Sequence, residues 1–371
     1  MKILHIIEIR GIGGAENLLL DFLPAQVRSG HDINCLVLYM TQYEREAVDI
    51  GKKLKIHNIH VSYIKFRTKL SIAANIFKVY KYIKTSRTDV IHTHLRVAEL
   101  MIAFLTKISL KIPVITTVHG FADSKKHFAL RQFIVNKLYK NFNGIAFISN
   151  FMNAFFQDHN LINKKSITQV IYNGYDTCYD TQLNISHNDK ANIKIILPGR
   201  LTELKGHRYA IDAVKELIKT HPNIILDIYG SGPYGDNIKN LIISEFLEDN
   251  IFLKGFSMNI KSLLPNYDVV LLPTLGEPFG MVFLEAFAAK VPVVAFDLPA
   301  GNEIIKNGFN GLLAEPYSAM SLAQKVENLI EDNNLRDSIV KNATKVLNEK
   351  FTIDKMVIDY TLLYRKVVNK S

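Results

Sequence analysis

The feature that most constrains this chain is an alternation of short β-branched runs with helical periodicities, broken once and then restarted. Lys2 to Ile9 is apolar and β-branched, as a buried strand requires. A glycine-rich turn, RGIGGAEN, comes next. Leu18, Leu19, Phe22, Leu23 and Val27 then repeat at helical spacing until Ser29-Gly30 ends the run. DINCLVLYM reads as the following strand. Strand, turn, helix and strand make a βαβ unit, and such a unit implies a parallel sheet, because parallel neighbours need a crossover.

The alternation continues with strand-like runs at 89–94 and 113–120, a helix at 97–109 between them, and two further strands at 144–150 and 166–174. Residues 175–192 are polar, rich in Asn and Asp, and aperiodic, which marks a domain boundary. Beyond them the pattern starts again. Strands are expected at 193–199, 224–230, 251–255, 268–274 and 291–296, with an amphipathic helix at 207–221. From Asn334 to Val368 the chain reads as helical, with a pause near Phe351. The fold class expected is α/β, with two doubly wound, Rossmann-like domains. Ligands of such sheets bind beyond the carboxyl ends of the strands, so those ends should face a shared cleft.

The chain of 371 residues carries a net charge of +10, unevenly spread. Residues 1–175 hold 24 Lys and Arg against 11 Asp and Glu, whereas residues 176–371 hold 21 against 24. A basic first half points to an anionic partner. Cys35 and Cys178 lack CxxC spacing, so a reducing cytoplasm fits better than a disulfide framework. The start, MKILHIIEIRG, is too short an apolar run for a signal peptide. The apolar stretch 97–118 is interrupted by Glu99, Lys107, Lys111 and Pro113. Membrane contact would then be peripheral. Residues 67–87 offer a route to it, with Lys78, Lys81, Lys84 and Arg87 on an amphipathic helix that suits an anionic bilayer.

Chemistry concentrates in two stretches. In PTLGEPFGMVFLEA, Glu277 precedes a Pro-Phe-Gly turn, and Glu285 sits in the apolar helix that follows. A helix entrance at Gly280 presents unpaired N–H groups, which favour an anion. Two acids beside an anion site need another task, and carboxylates accept hydrogen bonds from hydroxyls. A ligand with both phosphates and hydroxyls, such as a sugar nucleotide, uses the whole arrangement. In LPGRLTELKGH, Arg200 and Lys205 follow a strand end. Fixed cations there would stabilise a departing diphosphate.

GRLTELKGH followed by EPFGMVFLEA resembles the GT-B glycosyltransferases of family 4, whose paired acids in an E-x7-E motif match Glu277 and Glu285. GGAENLLLDF, DVIHTH, ITTVHG, FISNFM, VIYNGYD, DIYGSGP and GFNGLL fall in the family's order across nearly the whole chain. The resemblance implies an acceptor-binding domain at 1–175, a nucleotide-sugar domain at 190–353, and a helix at 354–371 crossing back to the first. It implies that Gly13 and Gly14 lie near donor phosphates and acceptor, and that His119 lies by the transferred sugar. Arg200 and Lys205 would hold the diphosphate, Glu277 sugar hydroxyls, and Glu285 the ribose. The amides of Phe279, Gly280 and Met281 would touch phosphate or sugar, and Lys254, Gly255 and Phe256 the base.

The implied reaction retains the anomeric configuration and uses no cofactor and no metal, since no Asp-x-Asp occurs. His92 and His94 have ligand-like spacing, but no third ligand is evident beside them, so they read as strand-end residues. The donor would be a nucleotide-diphosphate sugar, with UDP-sugar the first choice. The acceptor would be a glycan or a polyprenyl-diphosphate-linked chain of surface polysaccharide synthesis; nucleic acid is not an expected partner. A non-catalytic nucleotide-sugar-binding protein and a GT-B epimerase are the alternatives. An NAD site is disfavoured because Glu16 replaces the last glycine of G-x-G-x-x-G. Lys290, and Pro299 with Ala300 before Glu303, stand where the family usually has glycines, which bears on donor identity.

Overall fold

The computed structural model describes residues 1–11, 13–66, 71–108, 110–120, 139–163, 165–177 and 192–370. It divides into two compact units, Met1–Asp176 with Ile353–Ser371, and Thr177–Thr352. Most of the polar stretch 175–192 lies outside the described residues.

The first unit holds β1 (Lys2–Ile9), β2 (Asp32–Met40), β3 (His60–Phe66), β4 (Val90–His94), β5 (Val114–Val118), β6 (Gly144–Phe147) and β7 (Ile167–Val170). They form one sheet in the order β3-β2-β1-β4-β5-β6-β7, with every pair parallel. Its helices are α1 (Gly14–Arg28), α2 (Glu44–Lys55), α3 (Ser71–Ser86), α4 (Arg96–Ile108) and α5 (Asn150–Asp158). Strand order reverses between β1 and β4, the switch point at which such sheets open a crevice. The periodicity reading had no place for α2 and β3. β3 is an edge strand of mixed exposure, so its sequence never becomes a continuous apolar run.

The second unit holds β8 (Ile193–Pro198), β9 (Ile224–Tyr229), β10 (Ile251–Gly255), β11 (Val269–Leu272), β12 (Val293–Phe296) and β13 (Leu312–Ala314), in the order β10-β9-β8-β11-β12-β13. Its helices are α6 (His207–Leu217), α7 (Gly235–Ser244), α8 (Ile260–Leu263), α9 (Met281–Ala288), α10 (Pro299–Ile304), α11 (Ala319–Glu331) and α12 (Asn333–Lys350). Ile195, Leu197, Leu226, Ile228, Val269 and Leu271 pack with Ala210, Ile211, Val214 and Leu217 of α6 in one buried core. That packing explains the helical spacing of 207–217.

The last helix, α13 (Ile353–Lys370), follows the second unit in sequence and belongs to the first in space. Ile353, Met356, Val357, Tyr360, Leu363, Tyr364 and Val367 form a buried stripe at helical spacing. They pack it against α1 and the β5–β7 side of the sheet. At its entrance the Ile353 N–H donates to the Tyr175 carbonyl at 3.0 Å. No described helix is long and apolar enough to cross a membrane.

Candidate functional site

In the second unit, two loops at the carboxyl ends of neighbouring strands are fastened together. The loop after β8 ends in a short 3-10 turn, Glu203–Lys205, and the loop after β11 runs from Pro273 to Gly280. The Leu204 carbonyl accepts from the Leu275 N–H at 2.8 Å and from Thr274 Oγ1 at 3.2 Å. Gly206 adopts φ +69°, and a Cβ there would sit 1.8 Å from the Pro273 carbonyl oxygen. Only a residue without a side chain lets the two loops come this close.

This fastening puts the Lys205 ammonium in a hydrogen-bonded ion pair with the Glu277 carboxylate. Both side chains are largely buried, with 25% and 18% exposed. The pair borders a cavity of about 20 Å³ lined by Leu197, Pro198, Thr274, Gly280 and Phe283 among others. That is room for about one water and none for a sugar. Next to it, Gly280 at φ +92° opens α9. The N–H groups of Met281 and Val282 therefore have no acceptor within the helix, and the helix dipole adds positive potential where they point.

The other sequence-predicted residues of this unit are spread around the site. Arg200 is exposed on the loop after β8. Phe279 contributes its backbone only, because its ring is buried against Phe351. Glu285 is half-buried in α9 between buried neighbours, Phe283, Leu284, Ala286 and Phe287. Gly255 and the exposed Phe256 close β10. The Lys254 side chain turns away, lying 3.8 Å from Asp227 in a separate hollow of about 360 Å³ that Lys194 and Tyr267 also line. The structure thus joins Lys205, Glu277, Gly280 and the start of α9, and does not join Lys254 to them.

In the first unit, Gly13 caps α1, and its N–H donates to Glu16 Oε2 at 3.1 Å. Glu16 thereby closes the entrance of its own helix, which accounts for the acid where a dinucleotide turn needs glycine. Gly14 is the first residue of that helix. His119 follows β5 and is half-buried. His94 Nδ1 lies 3.2 Å from His119 Nε2, and His94 Nε2 lies 3.0 Å from His5 Nδ1.

The spacing of His92 and His94 shows no third group beside them, but the fold supplies one, His5. Register places His5 of β1 opposite His92 of β4, and ring nitrogens of His5, His92 and His94 lie within 4.8 Å of one another. Both His92 nitrogens are engaged in hydrogen bonds, with Tyr364 Oη and Thr117 Oγ1, each at 2.7 Å. Burial disfavours the charged form of all four rings. It lowers His5 to about 3 and His119 to about 4, and takes His92 and His94 well below the usual histidine value.

Both halves of the chain match glycosyltransferase family models. Residues 12–178 match Glycosyltransferase Family 4, and residues 180–346 match Glycosyl transferases group 1. An uncharacterized glycosyltransferase of Methanocaldococcus jannaschii is 27% identical over 96% of this chain and 95% of its own. The N-acetyl-alpha-D-glucosaminyl L-malate synthase of Bacillus anthracis is 25% identical over 78% of each. A glycosyltransferase structure from Rickettsia africae superposes with a TM-score of 0.83 at 22% identity, covering 100% of this chain and 99% of that one. Anabaena HepE, solved with UDP and glucose, gives 0.82 at 23%, covering 99% and 100%. Two parallel Rossmann-like sheets and a glycosyltransferase match to each half define the class. The chain is a glycosyltransferase of the GT-B fold.

Proposed function

We propose that the protein moves a sugar from a nucleotide-diphosphate sugar, UDP-sugar first, to a hydroxyl acceptor with retention of anomeric configuration. The observation that carries this reading is the Lys205–Glu277 pair beside the entrance of α9. At rest each charge satisfies the other. An incoming pyrophosphate competes for Lys205 and for the N–H groups of α9, with Arg200 as a second cation. Glu277, released, accepts hydrogen bonds from sugar hydroxyls. As the bond from C1 to the phosphate oxygen breaks, negative charge grows on the leaving group, where the fixed cations act most strongly. The acceptor oxygen bonds to C1 on the same face, and its proton passes to the departing phosphate oxygen.

Glu285 is assigned to the ribose, and the amides of Phe279, Gly280 and Met281 to phosphate or sugar. Gly255 and Phe256 are assigned to the base. In the first unit, Gly13, Gly14 and His119 are assigned to substrate contacts. The reading is metal-free because arginine, lysine and helix N–H groups supply the positive charge and the sequence has no Asp-x-Asp. UDP in the HepE structure supports the choice of base. Thermal-shift measurements should show UDP stabilising the protein more than GDP or ADP, by an increment that grows with ligand concentration. A flat response to all three overturns the donor assignment.

The acceptor is assigned to a glycan or a polyprenyl-diphosphate-linked chain of surface polysaccharide, met at an anionic membrane. Val79 and Ile83 of α3 are buried, leaving exposed Phe77 with exposed Lys78, Lys81 and Lys84. Co-sedimentation with phosphatidylglycerol vesicles and not with phosphatidylcholine is expected, and should fall sharply when all three lysines become Glu. Equal recovery on both lipids sinks the membrane assignment.

A further inference from the structure

At the amino end of β9, the opposite end of the second sheet from the loops that carry Lys205 and Glu277, an imidazole and two carboxylates converge. His221 stands in the turn between α6 and β9. Its N–H donates to the Leu217 carbonyl at 2.8 Å, and its own carbonyl accepts from the Ile224 N–H at 3.2 Å. Glu327 and Glu331 lie four residues apart on α11, so they share one face of that helix. Leu322, Val326 and Leu329 of α11 are buried in one core with Ile211, Val214 and Leu217 of α6. Core packing therefore sets the distance between the turn that holds the imidazole and the helix that holds the acids.

His221 Nε2 is buried and has no hydrogen-bond partner. It lies 3.6 Å from Glu327 Oε1 and 3.8 Å from Glu331 Oε1, both too long for a hydrogen bond. Buried polar atoms are bonded as a rule, and two like charges one helical turn apart repel. A cation held between the three groups removes both costs. Ligand atoms set tetrahedrally around zinc at about 2.0–2.1 Å lie about 3.4 Å from one another. The nitrogen and the two oxygens are all within 4.8 Å of one another, so small side-chain movements bring them to that spacing. A nitrogen ligand favours a transition metal over magnesium or calcium, which prefer oxygen. Glu327 is already oriented: its Oε1 accepts from Thr220 Oγ1 at 3.1 Å, and its Oε2 from Gln324 Nε2 at 3.3 Å. The Glu331 side chain is 64% exposed, which gives an ion a way in from solvent.

We propose that His221, Glu327 and Glu331 bind one divalent transition-metal ion, zinc first, with water completing its shell. The ion ties the turn before β9 to the last turns of α11 and braces the second unit. This site lies apart from the donor loops and is independent of the donor assignment.

The test is calorimetric titration of the full chain with zinc chloride at neutral pH, after EDTA treatment and exchange into chelator-free buffer. One equivalent should bind, and the melting temperature should rise with zinc concentration. Magnesium chloride should do neither. Cobalt(II) should give the visible absorption of a tetrahedral centre, and added zinc should bleach it. Glu331→Gln changes an exposed side chain outside the core, so it should fold normally and weaken zinc binding at least about ten-fold. His221→Gln should do the same. The buried His5, His92 and His94 are intact in both variants, so zinc held there instead would bind undiminished. No binding to the wild type, or equal binding to the folded variants, overturns the site.

Discussion

Glu277→Gln should abolish most sugar transfer while leaving UDP bound at least as tightly as in the wild type. The amide matches the carboxylate in shape and cannot accept from two hydroxyls with charge assistance. Losing such contacts costs about 3 kcal/mol, roughly a hundred-fold in kcat/KM. The nucleotide responds in the opposite sense because Glu277 is the group that holds Lys205 in the resting protein. With a neutral partner, Lys205 is no longer shared between a carboxylate and the pyrophosphate, so UDP meets less competition. Lys205→Met should show the reverse pattern, with weak UDP binding and weak transfer together. Calorimetric titration with UDP and turnover of UDP-hexoses on the two variants separate these cases. Glu277→Gln with full transfer, or with UDP binding lost, is incompatible with the division of roles drawn here. It would also mean that the acid's partnership with Lys205 is structural alone.

Much of this site is legible in the sequence because its chemistry is local. Gly280, Met281 and Glu285 share one turn–helix segment, and Arg200 and Lys205 follow one strand, so helix-entrance and strand-end rules suffice to pick them out. The central parallel strands are equally plain, since burial on both faces makes them continuous apolar runs. Edge strands are different. β13 has three residues, and β3 mixes buried with exposed positions, so neither presents a clear period. The histidine network is hidden for a further reason. His5, His92, Thr117 and Tyr364 come from β1, β4, β5 and α13, and only sheet register and the packing of the last helix bring them together. His5 is an unremarkable member of an apolar run until His92 is found beside it. Lys254 is a further case: the family resemblance implies a place near the base, and the fold sets its side chain towards Asp227, a neighbour that no local pattern announces.

Gly206→Ala carries the largest expected cost to stability and tests how the site is assembled. Two penalties combine. The left-handed backbone at φ +69° costs a residue with a Cβ about 1 kcal/mol. The Cβ would also sit 1.8 Å from the Pro273 carbonyl oxygen and 2.9 Å from its carbon, and neither is the tip of a flexible side chain. The loops after β8 and β11 must separate, straining the hydrogen bonds that Leu204 accepts from Leu275 and Thr274. A total near 3 kcal/mol is expected. Gly308→Ala supplies the control within the same unit. Its φ is +74° with nothing within 4 Å of the added Cβ, so it should show the backbone term alone. Urea unfolding followed on both variants isolates the clash as their difference. The same separation moves Lys205 away from Glu277, so Gly206→Ala should lose transfer even at temperatures where it remains folded, whereas Gly308→Ala should keep it. Equal stability losses in the two variants would mean that the loops are not held by this contact, and the ion pair would then need another cause.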